Sequence, residues 1–335
     1  MREDRILLAH GSGGRLSHKL IEEEILPLFR NPLLEKMDDA AVFELGGRLA
    51  FTTDSYVVTP IFFPGGDIGK LAICGTVNDL AMVGAQPLYL SLSFIIEEGL
   101  PMEEFERVLR SSKAAAAEAG VQIVTGDVKV VASGGADKLF VNTAGIGVIP
   151  DGVEISGSGA RPGDLVLING TIGDHGIAVL SKREGLDFSI EVESDCAPLN
   201  HLVFEMLKAS RKVHCLRDPT RGGLATALNE IARRSGVEIR IFEEKIPIRE
   251  EVLAACEMLG FDPLYVANEG KLVAVVAPED AELLLEVMRR NPYGREAAII
   301  GEVREGHPGR VVMKTRFGPS RIIEMLWGDL LPRIC

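Results

Sequence analysis

The chain has 335 residues, 46% hydrophobic and 25% charged, with a formal net charge of −13. This is enough for two domains with substantial cores, while the acidic balance excludes non-specific nucleic-acid binding, which needs clustered Lys and Arg. No apolar run reaches the ~20 residues of a membrane-spanning helix, and the N-terminus leads into no apolar stretch of signal-peptide type.

In chain order, His10-Gly11-Ser12-Gly13-Gly14 comes first. Its glycines let backbone approach a ligand closely, but neither the Walker nor the dinucleotide spacing is present. Ser17 to Phe29 reads as a helix with Leu20, Ile21, Ile25 and Leu28 on one face. Asp38-Asp39-Ala40-Ala41 precedes a strand over Leu49–Val58 that carries Asp54. A helix over Ile68–Gly84 carries Asn78 and Asp79 on its second half. A strand over Leu88–Ile96 follows, then an Ala-rich helix over Met102–Ala119 ended by Gly120. The strand Val121–Thr125 is expected to break at Gly126-Asp127-Val128-Lys129, and Lys138–Ile149 is a further strand. The Gly-, Pro- and Ser-rich run near Gly157–Gly163 marks a domain boundary, giving domains over 1–155 and 156–317.

The second half reads as a strand over Asp164–Asn169, helices near 174–184 and 199–210, and a helix over 223–234 opened by Asp218-Pro219-Thr220-Arg221-Gly222-Gly223. Strand 237–242, helix 249–258, strand 271–277, helix 279–290 and strands near 297–303 and 310–315 complete it. Strands and helices mix irregularly in both halves, so the expected class is α+β or mixed α/β. Residues 318–335 read as a mobile tail ending in Leu330-Leu331-Pro332-Arg333-Ile334-Cys335.

Five cysteines, widely spaced and without C-x-x-C, fit a reducing cytoplasm and give no zinc signal. Cys74, Cys215 and Cys256 lie among apolar neighbours and read as core thiols. Cys335 is different: a thiol at the end of a tail stiffened by Pro332 can carry a chemical group into a pocket. Asp39, Asp54, Asp79 and Asp127 sit at element ends or polar breaks, and Asp218 opens a Gly-rich turn. Acids so placed point to a hard cation bridging phosphates, with Lys129 as a positive partner. Glu269, just before an apolar strand, is either a strand-edge cap or a general base. His10, His175 and His214 read first as structural or surface residues.

These segments carry a resemblance. The set His10-Gly11-x-Gly13-Gly14, Asp38-Asp39-Ala40-Ala41, Thr53-Asp54, Phe63-Pro64-Gly65-Gly66-Asp67, Gly75-Thr76-Val77-Asn78-Asp79, Thr125-Gly126-Asp127-x-Lys129, Gly173-Asp174-His175-Gly176, Asp218-Pro219-Thr220-Arg221, Asn268-Glu269-Gly270 and Pro332-Arg333-Ile334-Cys335 resembles the HypE family of hydrogenase maturation proteins. That family lies within the PurM-like superfamily of aminoimidazole ribonucleotide synthetase, selenophosphate synthetase and thiamine monophosphate kinase. The first motifs are shared by the superfamily; the Pro-Arg-Ile-Cys ending is specific.

The resemblance implies a homodimer whose N-terminal domains pair into a central β-barrel, with ATP and Mg²⁺ in the groove. It implies that a carbamoyltransferase partner, HypF, loads a carbamoyl group on the terminal thiol. ATP-dependent dehydration then gives a thiocyanate, and cyanide passes to iron on a HypC–HypD complex. It assigns Asp39, Asp54, Asp79 and Asp218 to Mg²⁺ and phosphate. His10, Gly11, Gly13, Gly14, Asp38, Asn78, Gly126, Asp127 and Lys129 fall to the nucleotide. Cys335, Glu269, Lys129 and His175 fall to catalysis, with Glu269 the preferred base. The readings left open are another superfamily kinase acting on a free small molecule, and a thiol carrier with a degenerate nucleotide site.

Overall fold

The computed structural model describes residues 4–12, 15–37, 40–185, 192–328, 331 and 333–335. Near the N-terminus, helix α1 (Arg15–Leu20) passes through a π turn over Ile21–Ile25 into α2 (Leu26–Phe29). Strand β1 (Arg48–Tyr56) follows, then the short ribbon β2 (Phe62–Phe63) and β3 (Gly66–Asp67). Helix α3 (Ile68–Met82), β4 (Gln86–Glu97), α4 (Met102–Ala119), β5 (Gln122–Val131) and β6 (Leu139–Ile149) complete the first half.

The first sheet has the order β1-β6-β4-β5, antiparallel except for the parallel β4–β5 pair. One face is covered by α3 and α4. Helix α3 is capped by the Asp67 carboxylate, which accepts from the amides of Gly69 at 2.8 Å and Lys70 at 3.0 Å. Of its residues only Lys70 and Asp79 fall outside the buried set. Helix α4 buries Phe105, Val108, Leu109, Ser112, Ala115, Ala116 and Ala119 at helical spacing, and Gly120 ends it in the left-handed conformation at φ 71°. Gly69 sets the closeness of the two helices, because a Cβ there would meet the Ser112 hydroxyl and the Val108 carbonyl.

The expected break at Gly126 does not occur: β5 runs straight through Gly126–Lys129, pairing with Leu92–Ile95 of β4. Glycine is required there because a side chain would overlap the Leu92 carbonyl oxygen of the neighbouring strand.

The second half contributes β7 (Leu165–Ile168), α5 (Asp174–Glu184), α6 (Asn200–Ala209), β8 (Val213–Arg217), α7 (Gly223–Ser235) and β9 (Glu238–Phe242). Next come α8 (Glu250–Leu259), β10 (Val273–Val276), α9 (Ala281–Arg290), β11 (Ala298–Arg304), β12 (Arg310–Lys314) and β13 (Ser320–Ile323). The sheet order is β13-β12-β9-β11-β7-β10-β8. Strand β10 is buried throughout, its residues alternating between a core shared with α6 and α9 and a core shared with α7.

Strands β8 and β13 lie outside the sequence reading, and β13 corrects it. Residues 320–323 are an edge strand paired with β12, not part of a loose tail. The two halves share core. Ile177, Cys196, Val252, Val266, Leu331 and Ile334 pack in one cluster with the first-half residues Ile73, Val77 and Phe105. No helix among the described residues is long and apolar enough to cross a membrane.

Candidate active site at the junction of the two halves

The C-terminal residues come back to the junction. The amide of Val57 donates to the Cys335 carbonyl at 3.3 Å, and that of Thr59 to the Arg333 carbonyl at 3.2 Å. Ile334 is buried and Cys335 partly buried. The end of the tail is thus seated in this structure.

His175 explains part of this seating. Its Nε2 lies 2.8 Å from the Ile334 carbonyl oxygen, and its Nδ1 lies 2.8 Å from the Ser194 hydroxyl. A carbonyl can only accept, so Nε2 carries the proton and Nδ1 accepts from Ser194; the Ser194 oxygen in turn accepts from the Cys196 amide at 3.1 Å. The ring is fully buried, which lowers its pKa and keeps it neutral. With both nitrogens engaged, His175 holds the tail and has no free position for proton transfer in this arrangement.

Glu269 is 4% exposed, and its Oε1 is buried without a hydrogen-bond partner among the described residues. Burial first, then the nearby Cys196, Asp195, Asp218 and Asp54, push its pKa well above the usual carboxylate range. The Cys335 thiol lies within its electrostatic reach. Burial and Glu269 raise the thiol's pKa, and Arg221 opposes the rise. Arg221 is thus the cation that favours the thiolate; Arg333 sits against Asp137 and the Val57 carbonyl.

Behind Glu269, its amide donates to Asp195 Oδ1 at 3.0 Å, and Lys271 Nζ lies 3.1 Å from Asp195 Oδ2. Lys271 and its neighbours hold the buried Asp195 carboxylate below its usual range despite burial. Gly270 is needed for this approach, since a Cβ would overlap the Asp195 carbonyl oxygen.

Asp54, Asp79 and Asp218 share one electrostatic environment beside these residues. Asp79 accepts from Thr52 Oγ1 at 2.7 Å, and burial raises its pKa. Asp218 is pushed up to about 6 by burial, then by Asp79 and, more weakly, Asp54, with Arg217 opposing. Mutually repelling carboxylates held close together have the donor chemistry of a hard-cation site. Among the described residues no three acidic, His or Cys side chains close round a cation by themselves. Mg²⁺ does not require that, because it commonly uses one or two carboxylates with waters and phosphate oxygens.

The remaining residues fall elsewhere. His10, Gly11, Gly126, Asp127 and Lys129 line one cavity of about 240 Å³, walled by apolar residues such as Ile21 and Phe29. Gly13, Gly14, Asp38 and Asp39 lie outside the described residues. His10 is buried, and its Nδ1 accepts from the Leu7 amide at 2.9 Å.

Asp127 does not join Asp54. In register, Asp54 stands opposite Thr143, Thr143 opposite Leu92, and Leu92 opposite Gly126. Asp54 and Asp127 are therefore three strands apart, roughly 14 Å, and on opposite faces of the sheet. Lys129, two residues on, shares the Asp127 face and pairs with Asp127 at 2.6 Å, with both side chains more than half exposed. Within one chain it does not meet Glu269 or Cys335. Asn78 is engaged within the protein. Its side chain donates to the carbonyls of Ala197 at 3.0 Å and Glu269 at 3.3 Å and accepts from the Leu199 amide at 2.8 Å, stitching α3 to the second half.

The fold and this cleft define the class: residues 37–149 match the N-terminal domain, and residues 161–314 the C-terminal domain, of the AIR synthase related proteins, the family to which the chain belongs. Within it the chain belongs to the HypE hydrogenase maturation proteins. It is 54% identical to the carbamoyl dehydratase HypE of Azotobacter vinelandii, over 100% of this chain and 98% of that protein. A crystal structure of hydrogenase maturation protein HypE in complex with ATP superposes with a TM-score of 0.96 at 53% identity, covering 98% of this chain and 99% of that one. The crystal structure of a HypE–HypF complex matches with a TM-score of 0.82 at 51% identity, covering 92% and 99%.

Proposed function

We propose that this chain is an ATP-dependent carbamoyl dehydratase acting on its own C-terminal cysteine, supplying cyanide for the iron of a NiFe-hydrogenase. The observation that carries the reading is the seating of the Cys335 thiol on Glu269, beside Asp54, Asp79, Asp218 and Arg221. A chain acting on a free small molecule has no use for its own terminus in that cleft.

The chemistry is a dehydration. In Cys335–S–C(=O)–NH₂ the amide oxygen is a poor leaving group. Transfer of the γ-phosphoryl of ATP to that oxygen, with loss of one nitrogen proton, gives an S-bound imidate-type phosphate, Cys335–S–C(=NH)–O–phosphate, and ADP. Loss of the second nitrogen proton and cleavage of the C–O bond give Cys335–S–C≡N and phosphate. In this reading Glu269 takes a nitrogen proton: a carboxylate whose pKa is raised is, once ionised, a stronger base than a solvated one. Arg221 is placed to face negative charge as it develops on the leaving phosphate. His175 fixes the tail, and covalent attachment replaces a bimolecular encounter.

When bound, Mg²⁺ would neutralise phosphate charge; Asp54, Asp79 and Asp218, with Asp39 by family resemblance, are the residues to hold it. His10, Gly11, Gly126, Asp127 and Lys129, with Gly13, Gly14 and Asp38, are the proposed nucleotide contacts.

The separation of Asp127 and Lys129 from Asp54 supports a homodimer, in which the two free edges of the first sheet, β1 and β5, meet across chains. Leu49 and Phe51 are exposed and share the Asp127–Lys129 face, an apolar surface suited to closing such a barrel. The partners that follow are a HypF-type carbamoyltransferase and a HypC–HypD iron scaffold.

The test is mass spectrometry of the carbamoylated protein. The C-terminal peptide should lose one water when ATP and Mg²⁺ are added. An adduct on any other cysteine, or retention of the water, overturns the reading.

A further inference from the structure

The seated tail is held by Arg333, two residues before the terminal cysteine, more than by its thiol. Arg333 Nη1 donates to Asp137 Oδ2 at 2.6 Å and its Nε to the Val57 carbonyl at 3.0 Å. Its own carbonyl accepts from the Thr59 amide at 3.2 Å and from Arg183 Nη2 at 2.7 Å, while Arg183 Nε donates to the Thr59 carbonyl at 2.7 Å. Asp137 also accepts from Thr59 Oγ1 at 3.1 Å. Asp137 lies between β5 and β6, Thr59 follows β1, and Arg183 is on α5, so the grip spans both halves. The Arg333 guanidinium holds the Asp137 carboxyl below its usual range.

One observation opposes these contacts. Arg333 sits at φ 54°, the left-handed region that costs a non-glycine residue on the order of 1 kcal/mol. The seated state is thus bonded yet strained, as suits a segment that must leave again.

We propose that Arg333 and Asp137 are positioning residues, forming a two-part latch that sets how much of the time the Cys335 thiol is against Glu269 and how much it is available to the loading partner. This rests on the dehydratase reading for its role but not for its existence. Asp137 touches neither the thiol nor Glu269, and acts through the Arg333 guanidinium and, by way of Thr59, on the Arg333 carbonyl.

The experiment is timed alkylation of the intact protein by iodoacetamide, with each cysteine followed by peptide mapping. The Asp137–Arg333 pair is half-exposed, so Asp137→Asn should raise the Cys335 alkylation rate about two- to fivefold, and Arg333→Ala should raise it further. Cys74, Cys196, Cys215 and Cys256 are buried. They serve as internal controls, and any unfolding would expose them together. Arg333→Gly relieves the backbone strain while deleting the side chain, and should release the tail less than Arg333→Ala. In the same variants carbamoyl loading should be equal or faster and ATP-dependent water loss slower. An unchanged Cys335 rate in both Asp137→Asn and Arg333→Ala overturns the latch. Faster alkylation with wild-type rates of water loss overturns its positioning role. If the wild type shows no water loss at all while the alkylation rates respond, the dehydratase reading fails and the latch stands.

Discussion

The thiol of Cys335, 66 positions beyond Glu269 in sequence, lies within electrostatic reach of that carboxyl, and burial together with Glu269 raises the thiol's preference for its proton. In the seated, unloaded state the thiol is thereby kept from ionising. In the proposed reaction a carbamoyl NH₂ in the same place would donate to the carboxylate and favour its ionised form, so that loading would prepare Glu269 for its proposed role as base.

Replacing this carboxyl tests that logic. Glu269→Gln should slow ATP-dependent water loss from the loaded cysteine by about 10²–10⁴-fold while leaving ATP affinity and carbamoyl loading near wild type. Single-turnover mass spectrometry with parallel calorimetry measures both. Equal losses in binding and turnover would move Glu269 from catalysis to structure.

Asp218 makes a pH prediction. Its pKa, about 6 in the folded protein against an ordinary 3.8, means that the folded state holds this proton more tightly than the unfolded chain. The resulting stabilisation is complete below 3.8 and is lost as pH rises through about 6. Without Mg²⁺ the melting temperature should carry a falling component between pH 4 and 7 that disappears in Asp218→Asn. Cation binding, which needs the carboxylate, should strengthen over the same range. Calorimetric scans at stepped pH, with and without Mg²⁺, read out both.

The bonds of Asn78 predict a stability effect remote from any ligand. Asn78→Ala removes a side chain that satisfies two carbonyls and one amide in a buried seam. The cost should be roughly 2–4 kcal/mol, seen as a lower urea midpoint with an unchanged slope. A change below about 0.5 kcal/mol would mean that the seam relaxes around the loss.

Gly270→Ala places a methyl on the Asp195 carbonyl oxygen. Relief requires Glu269 or Asp195 to shift, so turnover should fall at least tenfold alongside a destabilisation of about 1–3 kcal/mol. Denaturant titration and the water-loss assay check the two together.

How much of this was legible in the sequence depends on the range of the signal. Helix α4 was readable end to end because its apolar spacing and the closing Gly120 are local. Asp54, Asp79, Asp218 and Glu269 were legible as candidates because each is an acid in an apolar or glycine-rich setting, and the structure brings them together. Asp127 and Lys129 were misplaced for a physical reason. A glycine that permits close strand contact at Leu92 looks, in sequence, like one that permits a turn. Asp137, Arg183, Asp195, Arg221 and Lys271 were not singled out. Their partners lie tens to hundreds of positions away, as with Asp137 and Arg333, and no local pattern marks them. Strand β8 was missed because His214 and Arg217 interrupt a run of only five residues.

Among the described residues, the amides of Val57 and Thr59 are tied up by carbonyls of the last three residues. Their isotope exchange with solvent is therefore governed by a segment to which they do not belong. Deuterium uptake at the end of β1 becomes a clock for the departure of the C-terminus: fast when the thiol is outside, slow when it is in. A single peptide covering Val57 and Thr59 would then report the fraction of seated tails at each stage of the cycle, with no label on the reactive cysteine.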